Sequence, residues 1–503
     1  MNQNEKYDAI VVGTGISGGW AAKELCEKGL KTLVLERGRM VKHIEDYPTM
    51  NDDPWDQSLK GELSIEEKKQ QHVQTRVGWA PKADNTHFFV NDLDHPYVEK
   101  KRFDWIRGYQ VGGRSLTWGR QSYRWSNIDF EANKKEGVGV DWPVRYEDIS
   151  PWYDKVEEYI GVSGQNLGLK QLPDGKFQPP MALNCVEEDF KTKTAENFDD
   201  GRLITIGRAA HITDPDASFE GRGVCQNRNR CSRGCPFGGY FSSNSVTLPA
   251  AERTGNMTLR PNSIVHEIMY DDKTKQATGV RVIDAETNEK IEFKAKVIFL
   301  CASEMESVGI LLQSKSERFP NGMGNDSDAL GRGIMDHHYK LGATAKVEGY
   351  LNKYYKGRRA NGFYIPRFVN IDKKTTRKGY LRGFGYQGTA SRQDWSQSVA
   401  EMGYGKELKD EILKPGSWQI GVTGFGEFLP YDDNRVLLSE TEKDKWGLPQ
   451  LEFDVEFKEN EYNMRKDIKA EIVSMFKAAG FKDVQPYEES SGPGLGIHEM
   501  GGA

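Results

Sequence analysis

Residues 7–38 read "YDAIVVGTGISGGWAAKELCEKGLKTLVLERG", and this stretch decides the fold. An apolar run, Ala9 to Val12, enters Gly13-Thr14-Gly15-Ile16-Ser17-Gly18 and continues into a helix capped by Gly29; a second run, Thr32 to Leu35, ends at Glu36. Strand, glycine turn, helix, strand is the order of a dinucleotide-binding unit. Gly13 permits the tight turn, Gly15 lets the backbone approach a pyrophosphate, Gly18 lets helix pack on strand, and the helix start offers unpaired N–H groups. Glu36 stands 23 residues after Gly13, placed to accept from ribose hydroxyls. A purely structural glycine-rich turn is the competing reading, and the presence of strand, helix and terminal acid together weighs against it.

Outward from that unit, a chain of 503 residues, 37% hydrophobic and with 53 glycines, has room for two or more domains around buried cores. Its net charge of −6 and pI near 6.0 exclude an electrostatic nucleic-acid binder or a basic membrane-surface protein, and leave small neutral or polar substrates open. A mean hydropathy of −0.70 and the lack of any apolar run of about eighteen residues predict no direct membrane span. The start "MNQNEKYDAIVVG" lacks a charged segment followed by an apolar one, so no signal peptide is expected. Six cysteines, of which Cys26, Cys185 and Cys301 are isolated, fit synthesis in a reducing compartment.

Residues 41–99 mix charges and prolines with little periodicity and read as an insertion, a lid or subunit-contact surface. From Trp105, "WIRGYQVGGRSLTWGRQSYRW" sets glycines among aromatics. Residues 142–164 predict an amphipathic helix opening at Pro151. "MTLRPNSIVHEIMYD" and the run to Ser303 predict a β-meander whose apolar strand, Val297 to Cys301, could rejoin the N-terminal parallel sheet. Alternating stretches between 335 and 460 predict an antiparallel sheet, and 459–480 a helix capped by Gly480.

The blocks "VVGTGISGG…LVLERG", "RGYQVGGRSLTWGRQ", "KVIFLCAS" and "GIHEMGGA" span nearly the whole chain, and together they resemble the glucose-methanol-choline (GMC) oxidoreductase family. The resemblance implies an α/β (mixed α+β) fold, with a Rossmann-like FAD domain from 1–40, 100–130 and 240–335, closing again near 490–503. It implies an insertion at 41–99, a helical segment with the cysteine loop at 141–239, and a substrate domain at 336–489. Gly13, Gly15 and Gly18 would hold the FAD pyrophosphate, Glu36 the ribose, and Val265 the adenine side, with Ala302 also against the cofactor. Gly112, Gly113, Ser115 and Trp118 would line the isoalloxazine; plain core packing is the bland reading of those four. Thr117 stands near the position of the family's histidyl linkage, so FAD is expected to be noncovalent.

His498 falls where the family has its catalytic base, in a pattern written H-x-x-G-T in which Gly502 here replaces the threonine. A base of near-neutral pKa takes the substrate's hydroxyl proton while hydride leaves for the flavin. The adjacent His337 and His338 read as structural. The family pattern continues beyond Ala503 with a strand over the flavin and a second polar catalytic residue, which is therefore expected outside these 503 residues.

Cys225 to Tyr240, "CQNRNRCSRGCPFGGY", holds three cysteines in C-x5-C-x3-C-P spacing. Proline directly after the last cysteine, and the lack of a fourth, favour a 3Fe-4S cluster on Cys225, Cys231 and Cys235. Arg228, Arg230 and Arg233 would offset its charge and lower the thiol pKa values. Structural zinc with His211 as fourth ligand, and a disulfide with one free thiol, are the alternatives. Within the family this loop resembles the FAD/iron-sulfur catalytic subunit of glucoside 3-dehydrogenase-type sugar dehydrogenases. That resemblance implies oxidation of a secondary sugar hydroxyl, C3 of a sugar or glycoside, with electrons passing through the cluster to a cytochrome c-type acceptor. It also implies a small signal-bearing partner subunit and periplasmic location by co-export, or a cytoplasmic location without a partner. A sugar or sugar-acid dehydrogenase acting at another carbon, and a noncatalytic electron-transfer subunit, are the alternatives.

Overall fold

In a computed structural model describing residues 6–353, 361–393 and 404–503, the strand Tyr7–Val12 is the centre from which the molecule is built. It pairs in parallel with Thr32–Leu35 on one side and with the end of Lys290–Leu300 on the other, Ala9 facing Thr32 and Val297. Met257–Arg260 extends the parallel set beyond Thr32–Leu35. The early part of Lys290–Leu300 pairs antiparallel with Gln276–Asp284, which in turn pairs with Ser263–Asp271. One long strand thus belongs to both the parallel sheet and the meander. The helix Ile16–Glu27 covers this sheet, burying Ala22, Leu25 and Cys26 against Ala9, Val11 and Val34. Each fully buried Val or Leu there contributes about 1.5–3 kcal/mol.

The second sheet has the order Lys482–Glu488, Leu341–Val347, Trp418–Gly426, Phe384–Arg392, Phe363–Ile365, Thr205–Ile206. One of its central strands alternates strictly. In Trp418–Gly426 the residues Trp418, Ile420 and Val422 are buried, while Gln419, Gly421, Thr423 and Phe425 face the other way. The buried face packs on the helix Glu459–Ala478 through Met464, Ile468, Ile472 and Met475. Segments 354–360 and 394–403, which fall within the predicted antiparallel region, lie outside the described residues.

Two sequence expectations change. The hairpin Arg435–Lys443 and Pro449–Asp454, expected in the substrate sheet, forms a separate small sheet with Val98–Glu99. Val436, Leu451 and Phe453 bury instead against the apolar surface of Phe103, Trp105 and Val308. The helix expected to open at Pro151 runs Tyr146–Ile160. Asp148 accepts from the N–H of Arg145 at 2.8 Å and satisfies the helix start one turn earlier, so the missing N–H of proline falls within the helix. Among the described residues no helix is long and apolar enough to cross a membrane.

Candidate active site

A cavity of about 620 Å³ runs from the glycine turn at Gly13–Ser17 past Val265 and Ala302 to Thr117, Trp118 and His498. The three glycines divide their work as their surroundings dictate. Gly13 has φ +97, and a side chain there would meet the carbonyl of Cys301 at 2.3 Å. On Gly18 a side chain would meet the carbonyl of Gly13 at 2.0 Å. A side chain on Gly15 would meet nothing within 4 Å, and the helix that starts after it has no side-chain cap. An open cradle of unpaired N–H groups fits a pyrophosphate. Glu36 lines the cavity, and its carboxylate accepts from the N–H of Thr14 at 3.1 Å and of Gly38 at 3.0 Å. Burial raises its pKa, opposed by the Thr14 hydroxyl.

The second glycine loop locks onto the first, the N–H of Gly112 donating to Thr14 Oγ1 at 2.9 Å. Gly112 has φ +94 and abuts Asn244, so it shapes the loop from behind, while Gly113, Ser115, Thr117 and Trp118 line the cavity. Ser115 Oγ donates to the carbonyl of Gly112 at 2.5 Å and accepts from the N–H of Ser243 at 3.0 Å. Trp118 Nε1 donates to the carbonyl of Phe241 at 3.0 Å.

At the far end stands a cluster that sequence reading divided. His337 Nδ1 lies 3.0 Å from His498 Nδ1, and Asp336, His337 and His498 bring their polar atoms within 4.8 Å of one another. Asp336 Oδ1 accepts from the N–H of His498 at 3.0 Å, and Oδ2 from that of Gly496 at 2.8 Å. Backbone bonds of 2.9 and 3.0 Å between Met335 and Met500 zip the two segments together. Between them Ile497, a β-branched residue, is held at φ +62, local strain that the Asp336 bonds maintain. Burial lowers the His337 pKa to about 3, helped by the charge of His498. Enclosure also lowers that of His498, which Glu499 partly offsets. Asp336 is pushed up to about 7 by burial and by Glu499, and Glu499 is itself paired with Arg114 at 2.9 Å. His337, read as structural, therefore belongs to the site. No local motif marks it. His338 is structural, its ring on the carbonyl of Glu427 at 3.2 Å.

Cys225, Cys231, Cys235 and His211 line a second, small cavity. All three cysteines are free thiols. His211 Nε2 is 3.9 Å from Cys231 Sγ, and its buried Nδ1 has no partner. Among the described residues no three of these four donor atoms lie within 4.8 Å of one another, a wider spread than one tetrahedral ion takes with sulfurs about 3.8 Å apart at Zn–S of ~2.3 Å. The arginines serve the thiols only in part: the charge of Arg228 opposes the rise of the Cys231 pKa, while the bonds of all three go elsewhere. Arg228 donates to the carbonyl of Met50 at 2.6 Å, Arg230 pairs with Asp53 at 2.7 Å, and Arg233 with Asp84 at 2.6 Å. They bind the 41–99 insertion over the loop, because acids and carbonyls of the insertion are their nearest partners. Burial pushes the Cys225 thiol up to about 11 and also raises Cys231. Arg120 is the cation that reaches inward, donating to the carbonyls of Leu116 and Cys231 at 2.9 Å each.

The family profile described as GMC oxidoreductase matches residues 208–339. The chain is 25% identical to the fructose dehydrogenase large subunit of Gluconobacter japonicus over 97% of this chain and 86% of that one. It is 26% identical to the 2-methyl-1,2-propanediol dehydrogenase of Mycolicibacterium austroafricanum, over 91% and 78%. The crystal structure of pyridoxine 4-oxidase from Mesorbium loti superposes with a TM-score of 0.53 at 15% identity, covering 95% of this chain and 81% of that one. The strand-turn-helix sheet, the cavity and these matches agree in likening the chain to the GMC oxidoreductases.

Proposed function

We propose that this protein is a dehydrogenase that oxidises a secondary hydroxyl of a sugar or glycoside, at C3, to a ketone, with noncovalent FAD and with electrons leaving through a 3Fe-4S cluster to an external acceptor such as a cytochrome. The observation that carries the reading is the 3.0 Å contact between His337 and His498, the latter lining the nucleotide cavity. Bound FAD would supply the hydride acceptor. His498, exposed to the cavity that it lines and held below the usual histidine pKa by the groups packed around it, takes the hydroxyl proton. When its Nδ1–H donates to His337 Nδ1, its Nε2 lone pair is left for the substrate, and the imidazolium formed keeps an acceptor at its back. Asp336 acts through the backbone, fixing the loop that carries His498.

Three features support the cluster: the thiols are free, they share one cavity with His211, and they stand too far apart for a single ion. Cys225, Cys231 and Cys235 would hold it, and it would supply one-electron transfer. The name of the Gluconobacter relative, a large subunit, supports assembly with a smaller partner, which we place with this chain in the periplasm by co-export. The test is a dye-reduction screen of sugars and glycosides with NMR of the ketone formed. A ketone at C3 of a glycoside is expected; a product oxidised at another carbon would overturn the C3 assignment, and no flavin reduction by any sugar would overturn the whole.

A further inference from the structure

The cavity wall beside His498 comes from the second sheet. Gln387 pairs with Thr423, and Gly385 with Phe425, so Gln387 and Phe425 share the face turned away from the buried core. Both line the cavity. Phe425 stacks on Tyr339 with ring centres 5.0 Å apart at 27°, and lies 6.4 Å from the His498 ring. Beside this aromatic wall runs a directed hydrogen-bond chain. Tyr123 Oη donates to Gln121 Oε1 at 2.5 Å, and Gln121 Nε2 donates to Gln387 Oε1 at 2.5 Å. The carbonyl end of Gln387 is thereby held, and its amide N–H groups have no protein acceptor among the described residues. Every arginine lining the cavity is neutralised: Arg37 by Glu306 at 3.0 Å, Arg107 by Asp92 at 3.2 Å and Arg114 by Glu499 at 2.9 Å. Among the described residues lining the cavity no unpaired Lys or Arg is left to receive a carboxylate.

Resting on the sugar-oxidation reading above, we propose that Gln387 sets the specificity of this site. It donates from its amide to a hydroxyl oxygen on the ring of an uncharged sugar whose apolar face lies on Phe425, and the cavity refuses sugar acids. An aromatic face takes the C–H side of a ring, and a positioned amide rewards a hydroxyl beside the one oxidised. A carboxylate on that ring would be desolvated without a partner.

The experiment is anaerobic flavin reduction in the FAD-loaded protein with methyl glucopyranoside and methyl glucopyranosiduronate. Wild type should reduce with the neutral glycoside and at least about 10²-fold less efficiently with the uronate. Gln387→Leu should raise KM for the neutral glycoside about 10-fold, with a smaller change in kcat. Gln121→Leu, which frees the Gln387 amide to rotate, should raise it less, and FAD content and melting temperature should hold in both. Gln387→Lys should narrow the preference by admitting the uronate. Unchanged KM in Gln387→Leu, or equal use of the uronate by wild type, would overturn this proposal while leaving sugar oxidation standing. Failure of wild type with every sugar would overturn both.

Discussion

His337 and His498, 161 residues apart in sequence, meet Nδ1 to Nδ1 at 3.0 Å. Two nitrogens at that distance share one proton, so the rings act as a unit.

His498→Ala should slow substrate-dependent flavin reduction by about 10² to 10⁴ while leaving FAD bound. His337→Ala should slow it by roughly 10-fold to 10²-fold, and the double variant should be no slower than His498→Ala alone, because the partner matters only through the base. Additive losses in anaerobic stopped-flow would show that the two histidines act independently.

The pH profile follows from the direction of the shift. Enclosure lowers the His498 pKa below the ordinary histidine value of 6.5, and the base must be neutral to act. Reduction efficiency should therefore fall along an acid limb whose midpoint lies below pH 6.5, and rise to its plateau above that midpoint. An acid limb with its midpoint at or above 6.5 would contradict this.

Gly15 and Gly18 separate binding from folding. Gly15→Ala has free space around it, so the melting temperature of the apoprotein should hold while FAD affinity drops, the new methyl lying where the pyrophosphate approaches. Gly18→Ala drives a methyl into the carbonyl of Gly13 and should cost about 1–3 kcal/mol of stability as well as FAD. Equal melting temperatures for the two variants would refute the assignment.

Thr117 lines the cavity near the position of the family's histidyl link, so acid precipitation should release all the yellow colour to the supernatant. Colour retained in the pellet would mean a covalent flavin.

Cys231→Ser should remove the iron and the low-temperature EPR signal of the oxidised protein, and should slow acceptor turnover more than flavin reduction. Zinc without iron in the wild-type protein by elemental analysis would replace the cluster with a structural ion.

The two ends of the site differ in how far the sequence specified them. The order of residues 7–38 determined the nucleotide-binding strand, turn and helix, because glycine spacing and strand-to-helix periodicity are local properties of the backbone. The apolar run Val297–Cys301 likewise announced a parallel strand that pairs with Tyr7–Val12, although Val297 and Phe299 are exposed and the strand is not buried as expected. Long-range partnership was not written there. His337 has no motif of its own and reaches His498 because Met335 and Met500 pair across the fold. Gln387 reaches the cavity because strand alternation turns it away from the core, and Gln121 then fixes its amide. Arg228, Arg230 and Arg233 sit within the cysteine motif yet bind the 41–99 insertion, since the nearest carboxylates and carbonyls in space, which sequence proximity does not specify, take up a buried or half-buried guanidinium.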